Sequence, residues 1–158
     1  MLRFGKKIVI HAVLLTAAVL SAPAWAMSPT DEQELQSFKL SEDFLHRYEA
    51  VTQQAVGAEK VNLANSAAAM KSLDALTGEI TRSSPQAAAL LQRHGLTVRQ
   101  AVVGSLVLMR ASMADSMLAD PKMAKYVDKT KLPSAANMAF YHAHKAEIAA
   151  MMKKDAGE

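Results

Sequence analysis

The chain contains no cysteine, and this absence excludes several kinds of chemistry at once. Its 158 residues include ten methionines but not one thiol. Thiol catalysis, iron–sulfur clusters, zinc–thiolate sites and covalent c-type haem attachment all require cysteine. An exported domain without disulfides must also be held together by packing alone.

Other features are scarce as well. Aromatic residues make up only 5% of the chain, and there are six glycines and five prolines. No run of alternating apolar and polar residues predicts a strand. The sequence contains no Gly-x-Ser-x-Gly elbow, no His-Glu-x-x-His and no glycine-rich phosphate loop. We therefore expect a helical protein that is not an enzyme and needs no cofactor.

The first 26 residues have the organisation of a secretory signal peptide. Arg3, Lys6 and Lys7 precede a short apolar run, and Ala24-Trp25-Ala26 supplies small residues at the two positions that a signal peptidase reads. The run is short for a membrane span, which needs about 20 apolar residues. We expect cleavage after Ala26 and a periplasmic or secreted mature protein.

Removing this segment changes the charge balance. The full chain has 18 Lys+Arg and 15 Asp+Glu, and three of the basic residues lie in the signal. The mature chain is therefore neutral overall, so the basic precursor does not indicate a nucleic-acid-binding protein. Residues 27–79 carry a net charge of −5 and residues 80–158 a net charge of +5. We expect the two halves to attract each other, unless each presents its patch to a partner.

Capping signals predict an all-α bundle of about four main helices plus one or two short ones. Each predicted helix begins at a capping residue or proline, or ends at a glycine. A capping box at Thr97 and Gln100 opens the most apolar helix, which Arg99, Arg110 and Asp115 distinguish from a membrane span. The predicted helices lie at 41–56, within 59–82, at 85–94, at 97–118 and at roughly 135–154, and residues 121–128 form a short basic helix or turn.

The domain organisation follows from these signals. Residues 1–26 form the signal peptide and residues 41–154 the helical bundle domain. Between them, residues 27–40 are polar. We expect this segment to be loose at its start and to bury little surface.

Two stretches together resemble a group of small exported bacterial proteins with no assigned activity. The first combines a short helix led by proline with a Gly-Leu-Thr ending, and the second has the pattern Asn-x-x-Phe-x-x-x-His. The resemblance covers about the C-terminal half of the chain and implies export and an all-helical fold, without an activity. The residues that carry it are Pro85, Leu90, Gly95, Leu96, Thr97 and Arg99, then Asn137, Phe140 and His144.

The histidines of the last predicted helix raise the question of a metal site. His142 and His144 are two residues apart, so an intact helix would turn them to nearly opposite sides. Met138 with His142, and His144 with Glu147, do have the spacing of a helical ligand pair. The simpler interpretation places His144 at the core edge near Asn137 or Tyr141 and leaves His142 in solvent.

Methionines offer a second metal hypothesis. Met109, Met113 and Met117 recur one turn apart on the most apolar helix. Thioethers are soft ligands that suit copper(I). However, a methionine stripe at helical spacing more often fills a core, and we expect it to do so here.

Lysines cluster between the last two main helices, with Tyr126 as the aromatic residue among them. They form either a solvated basic turn or a contact for an acidic partner, such as lipopolysaccharide phosphate or an anionic membrane. The four lysines are Lys122, Lys125, Lys129 and Lys131.

Taken together, these patterns favour an exported, non-enzymatic bundle that binds an envelope protein, another macromolecule or an apolar ligand. We expect no nucleic-acid partner and no membrane span after signal cleavage. The alternative is a copper-type metal-binding or metal-stress protein that uses methionine and histidine ligands.

Overall fold

A computed structural model describes residues 27–54 and 72–156 of the chain, and within these ranges every regular element is helical. The all-α class is therefore confirmed. The predicted signal peptide and the first part of the predicted helix at 59–82 lie outside the described residues. Among the described residues, one 3-10 turn, Lys129–Lys131, accompanies eight α-helices: α1 Pro29–Ser37, α2 Glu42–Gln54, α3 Leu73–Ser83, α4 Pro85–Arg93, α5 Val98–Ala119, α6 Pro121–Ala124, α7 Ala135–Ala143 and α8 Lys145–Ala156.

Helix α5 is the centre of the fold. Its predicted capping box is present, since the Thr97 hydroxyl accepts from the backbone N–H of Gln100 while the Gln100 side chain accepts from that of Thr97. Nine residues of the helix are buried, and α1, α3, α4 and α7 pack around it. By length and composition α5 could also cross a membrane, but the buried core helix of a soluble protein meets the same criterion.

Gly104 allows one close approach within this core. An ideal Cβ built at this position would lie 2.0 Å from the Phe44 Cζ atom, far inside van der Waals contact. Phe44 in turn meets Phe38 edge to face and stacks on Tyr48, with ring centroids 5.4 and 5.6 Å away. The glycine therefore lets the aromatic group of α2 sit directly against the backbone of α5.

The polar segment 27–40 is not loose, contrary to expectation. It forms α1, which Ser28 caps by accepting from the backbone N–H of Asp31. Leu35 and Leu40 join the hydrophobic core at 3% and 8% exposure. The carboxylate of Asp31 is also buried and accepts from the backbone N–H of Leu73 at 3.3 Å, at the first turn of α3. The packed unit therefore begins before residue 41.

Ion pairs between helices explain why so polar a helix packs. Glu32 accepts two hydrogen bonds from Arg110, at 2.7 and 2.9 Å, and Glu34 accepts two from Arg99, at 2.6 and 2.8 Å. Arg99 also pairs with Asp74 of α3. Acidic residues of the first half thus meet basic residues of the second half, which confirms the expected attraction between the two halves.

Asn137 fastens the α1–α2 connection to α7. The residue is 1% exposed. Its side-chain amide donates to the Phe38 carbonyl oxygen at 2.8 Å, and its Oδ1 accepts from the backbone N–H of Leu40 at 2.9 Å. One side chain therefore satisfies two backbone groups that have no partner within a helix.

The last predicted helix is divided in two, which corrects the expectation of one helix over 135–154. Helix α7 ends with His144 as its C-cap, and α8 starts at Lys145. The backbone N–H of His144 still donates to Phe140, and the His144 carbonyl still accepts from the N–H of Ile148 at 3.0 Å. Tyr141, Ile148 and Met151 are all buried, so one apolar stripe runs across the break from α7 to α8.

The short helix α4 follows its predicted boundaries with one exception. Pro85 stands in the first turn, and Gly95 follows the helix with a φ of 72°, a conformation that glycine adopts without strain. Ser84 occupies the N-cap position, but its side chain makes no capping hydrogen bond. The first N–H groups of α4 therefore donate no hydrogen bond to the Ser84 hydroxyl.

Candidate partner-binding surface

Large apolar side chains that are exposed occur in one part of the described chain. They lie between residues 113 and 126, at the end of α5, on α6 and in the turn that follows. The four side chains are Met113, Leu118, Met123 and Tyr126, with exposed fractions of 57%, 42%, 43% and 70%. Together with Lys122 and Lys125, which lie among them in the sequence, they are called the apolar–basic surface below.

Local hydrogen bonds give this stretch a defined shape. Asp120 ends α5, and its carboxylate accepts from the backbone N–H of Lys122 at 2.8 Å. Pro121 occupies the first turn of α6, where its missing N–H removes no hydrogen bond of the helix. The backbone N–H of Met123 donates to the Asp120 carbonyl, and that of Tyr126 to the Met123 carbonyl. These hydrogen bonds form a tight turn, on which the Met123 and Tyr126 side chains are exposed.

The charges of the surface are predominantly positive. Among the described residues, Lys122, Lys125 and Lys129 take part in no ion pair. The Lys125 ammonium lies 4.9 Å from the centre of the Tyr126 ring, which is within range of a cation–π contact. The nearby acid Asp120 is directed at a backbone N–H, so it does not neutralise these lysines directly.

The turn after the surface is organised by a second carboxylate. Asp128 accepts from both the backbone N–H and the hydroxyl of Thr130, at 2.9 and 2.6 Å. These hydrogen bonds, the one from the hydroxyl foremost, hold the pKa of Asp128 below its usual value, and the charge of Lys131 adds to the effect. The Asp128 carboxylate thus stabilises the turn, and the neighbouring Lys129 and Lys131 are exposed to solvent.

His142 lies beside this surface and is attached to α5. Its Nε2 is 3.0 Å from Asp115 Oδ1, and the Lys145 ammonium donates to the other oxygen of Asp115 at 2.7 Å. The hydrogen bond from Lys145 is the main cause that lowers the pKa of Asp115, and the same contact raises the pKa of Lys145. The His142 side chain is 55% exposed, which confirms that it lies outside the buried stripe.

His144 lies at the core edge as expected, but with different partners. Its ring stacks on Phe140 with centroids 4.4 Å apart, and its Nδ1 is 3.2 Å from Glu147 Oε2. Glu42 of α2 lies 3.9 Å from the other ring nitrogen. The expected contact with Asn137 or Tyr141 is therefore wrong, because Asn137 is committed to the α1–α2 connection.

The predicted metal-ligand pairs are not brought together into one site. His142 and His144 turn to different carboxylates, and Met138 is half-buried against the hydrophobic core. Residues 27–54 and 72–156 contain no group of three or more His, Asp or Glu side chains arranged to hold a metal ion. The His144–Glu147 pair remains a two-ligand contact on one helix end.

The methionine stripe is only partly a core feature. Met109 is half-buried and packs against the hydrophobic core, and Met117 is half-buried. Met113 is 57% exposed, so the expectation that it fills the core is wrong. Apolar periodicity along α5 could not reveal this, because the sequence alone does not show which faces of α5 the other helices cover.

Comparison with protein-family models, with curated proteins and with solved structures finds no match for this chain. The residues of the resemblance noted in the sequence all have structural roles here. Gly95 and Thr97 end and begin helices, Asn137 holds the α1–α2 connection, and Phe140 stacks on His144. The candidate site therefore has to be argued from its own exposure and charge.

Proposed function

We propose that the chain is an exported, non-enzymatic helical-bundle protein that binds a partner through the apolar–basic surface. One observation carries the proposal: the four large apolar side chains that are exposed among the described residues all lie within 14 consecutive positions. Scattered exposed apolar residues need no explanation, whereas a concentration of them beside polar groups is typical of interaction sites. Met and Tyr are also among the residues enriched at such sites.

The rest of the fold supports a binding role over catalysis. The ionisable groups with shifted pKa values belong to ion pairs and turn caps, such as Glu32 with Arg110, Asp115 with Lys145, and Asp128 with Thr130. Perturbed pKa values of this kind are produced by structural contacts as well as by active sites. Here each shift has a structural partner at hydrogen-bond distance.

The test is site-specific photo-crosslinking in cells that express the full chain. A photoreactive amino acid replaces Tyr126 in one variant and Met113 in another, and Gln92, which is exposed on α4, serves as the matched control position. We expect mass spectrometry to identify a crosslinked adduct, with either a protein or a lipid, from positions 126 and 113 but not from position 92. Absence of a crosslink from both surface positions, or the same crosslinks from position 92, would refute the proposal.

Export is tested separately. Mass spectrometry of the protein recovered from the cell envelope should show an N-terminus at Met27. Molecules that retain Met1 would contradict the signal-peptide prediction and would make the first 26 residues an anchor. This outcome leaves the proposed binding surface open to the crosslinking test.

Metal binding is the competing proposal, and the exposure of Met113 is the observation that favours it. A thioether that is 57% exposed is available to a soft metal ion, and Met117 follows one turn later. Titration of the purified mature chain with Cu(I), Cu(II), Ni(II) and Zn(II) distinguishes the two proposals. Stoichiometric Cu(I) binding that is lost in Met113→Leu would establish the metal proposal, and absence of stoichiometric binding would eliminate it.

A further inference from the structure

We propose that the apolar–basic surface docks onto a lipid bilayer whose headgroups are anionic. The inference rests on the proposed function, since it names the class of partner that this surface takes. It is supported by the arrangement of unpaired positive charge, by the type of apolar side chain exposed and by the small size of the apolar patch.

The distribution of ion pairs leaves unpaired positive charge in one part of the described structure. Arg99 and Arg110 of α5 are neutralised by acidic residues of α1 and α3. Lys122, Lys125 and Lys129 take part in no ion pair among the described residues, and their three charges outnumber those of the two nearby acids, Asp120 and Asp128, which also accept from backbone N–H groups. The surface therefore presents net positive charge of the kind that is attracted to anionic lipid headgroups.

The apolar side chains have the properties of interfacial anchors. Tyr is enriched at the headgroup level of membranes because one end of its ring is apolar and the other polar. Tyr126 is the most exposed of the four side chains, and Lys125 lies over its ring. Lysine stems lie along apolar surface while their ammonium groups remain among polar headgroups. Met123 and Leu118, which lie three and eight positions before Tyr126, supply further exposed apolar side chains.

The size of the patch argues against a stable protein interface. Four side chains that are about half exposed offer on the order of a few hundred Å² of apolar surface, the size of the largest patch on many monomers. A specific protein–protein interface uses about 800 Å² from each partner. A membrane surface requires no such area, because shallow insertion and attraction between charges act together.

The experiment measures partition of the purified mature chain into vesicles by co-sedimentation. One set of vesicles contains phosphatidylcholine with about one third phosphatidylglycerol, and the other contains phosphatidylcholine alone; the anionic fraction is chosen so that the surface potential attracts lysines measurably. We expect binding to the anionic vesicles that weakens as salt is raised, and at least roughly tenfold weaker binding to the neutral vesicles.

Matched variants locate the contact on the protein. Lys122→Glu with Lys125→Glu should weaken partition at least roughly tenfold, because two attractive charges become repulsive. Tyr126→Ser with Met123→Ser should also weaken it roughly tenfold through the lost apolar anchors. Arg93→Glu, which changes an exposed charge on α4, should leave partition within about twofold. All of these positions are exposed, so the circular dichroism spectrum and urea midpoint should stay unchanged.

Two results would overturn the inference. The first is equal or absent binding to both vesicle types by the folded wild-type chain. The second is a loss of binding in Arg93→Glu as large as that in the double lysine variant, which would show attraction without a defined surface. If a protein is crosslinked from Tyr126 in cells while vesicles fail to bind, the lipid inference is wrong and the proposed binding function stands.

Discussion

Replacement of Asn137 by alanine should be among the most destabilising substitutions in this protein. The side chain is 1% exposed and holds two backbone groups, the Phe38 carbonyl at 2.8 Å and the Leu40 N–H at 2.9 Å. Each buried backbone group left without a partner costs about 1–3 kcal/mol. We therefore expect Asn137→Ala to lower the free energy of unfolding by about 3 kcal/mol in total.

The assay is urea unfolding of residues 27–158 followed by circular dichroism, with Gln92→Ala as the exposed amide control. The control should stay within about 0.5 kcal/mol of the wild type. A third variant, Asn137→Asp, keeps the oxygen that accepts from Leu40 but places a second oxygen against the Phe38 carbonyl. Burial and this oxygen contact raise the pKa of the new carboxyl group in the folded state, because both disfavour its charged form.

The sign of the resulting pH dependence follows from that shift. A carboxyl group with a raised pKa in the folded state destabilises it as pH rises above the unfolded value of about 4. The deficit of Asn137→Asp relative to the wild type should therefore be small at pH 3 and large at pH 7. If Asn137→Ala unfolds at the same urea concentration as Gln92→Ala, the side chain does not hold the α1–α2 connection and the reasoning fails.

Three further predictions concern the core, an ion pair and the two histidines. Gly104→Ala should lower the free energy of unfolding by about 1–3 kcal/mol, because the new methyl group overlaps the Phe44 ring, and Phe44→Leu in the same chain should recover part of that loss in urea unfolding. Glu32→Gln should lower stability by about 1 kcal/mol at pH 7. The pKa of Glu32 is lowered, chiefly by the hydrogen bond from its arginine partner, so this difference should disappear as pH falls below about 4.5; a difference that persists at pH 3 would contradict the ion-pair explanation. His144→Ala should cost about 1–2 kcal/mol and His142→Ala no more than about 0.5 kcal/mol, because the first ring is half-buried on an aromatic neighbour and the second is mostly exposed. Equal effects of the two histidine substitutions would remove the packing argument.

Local signals in the sequence were sufficient for the helical class and for most described helix ends. The capping box at Thr97 and the helix end at Gly95 are properties of a few adjacent residues, and both are present as predicted. Long apolar periodicity also marked α5 as the most buried helix. The capping box and the glycine helix end depend on hydrogen bonds within one turn, so they can be predicted without knowledge of the fold.

The corrected expectation for residues 27–40 involves contacts between residues far apart in the chain. Helix α1 is too polar to indicate burial, and it packs because Glu32 and Glu34 meet arginines 78 and 65 positions away. The break at His144 has neither glycine nor proline to announce it. It occurs where the ring stacks on Phe140 and approaches α2.

The candidate surface also combines features that the sequence shows with features that only the folded structure shows. The composition of residues 113–131, apolar residues followed by lysines, is evident from the sequence alone. Whether Met113 and Leu118 are covered or exposed depends on how far α1, α3, α4 and α7 extend along α5, and this is a property of the packed bundle. The sequence by itself therefore determined the helical class, most described helix ends and the charges. Only the tertiary structure decided which charges are neutralised and which apolar side chains face solvent, because both depend on neighbours brought together by folding.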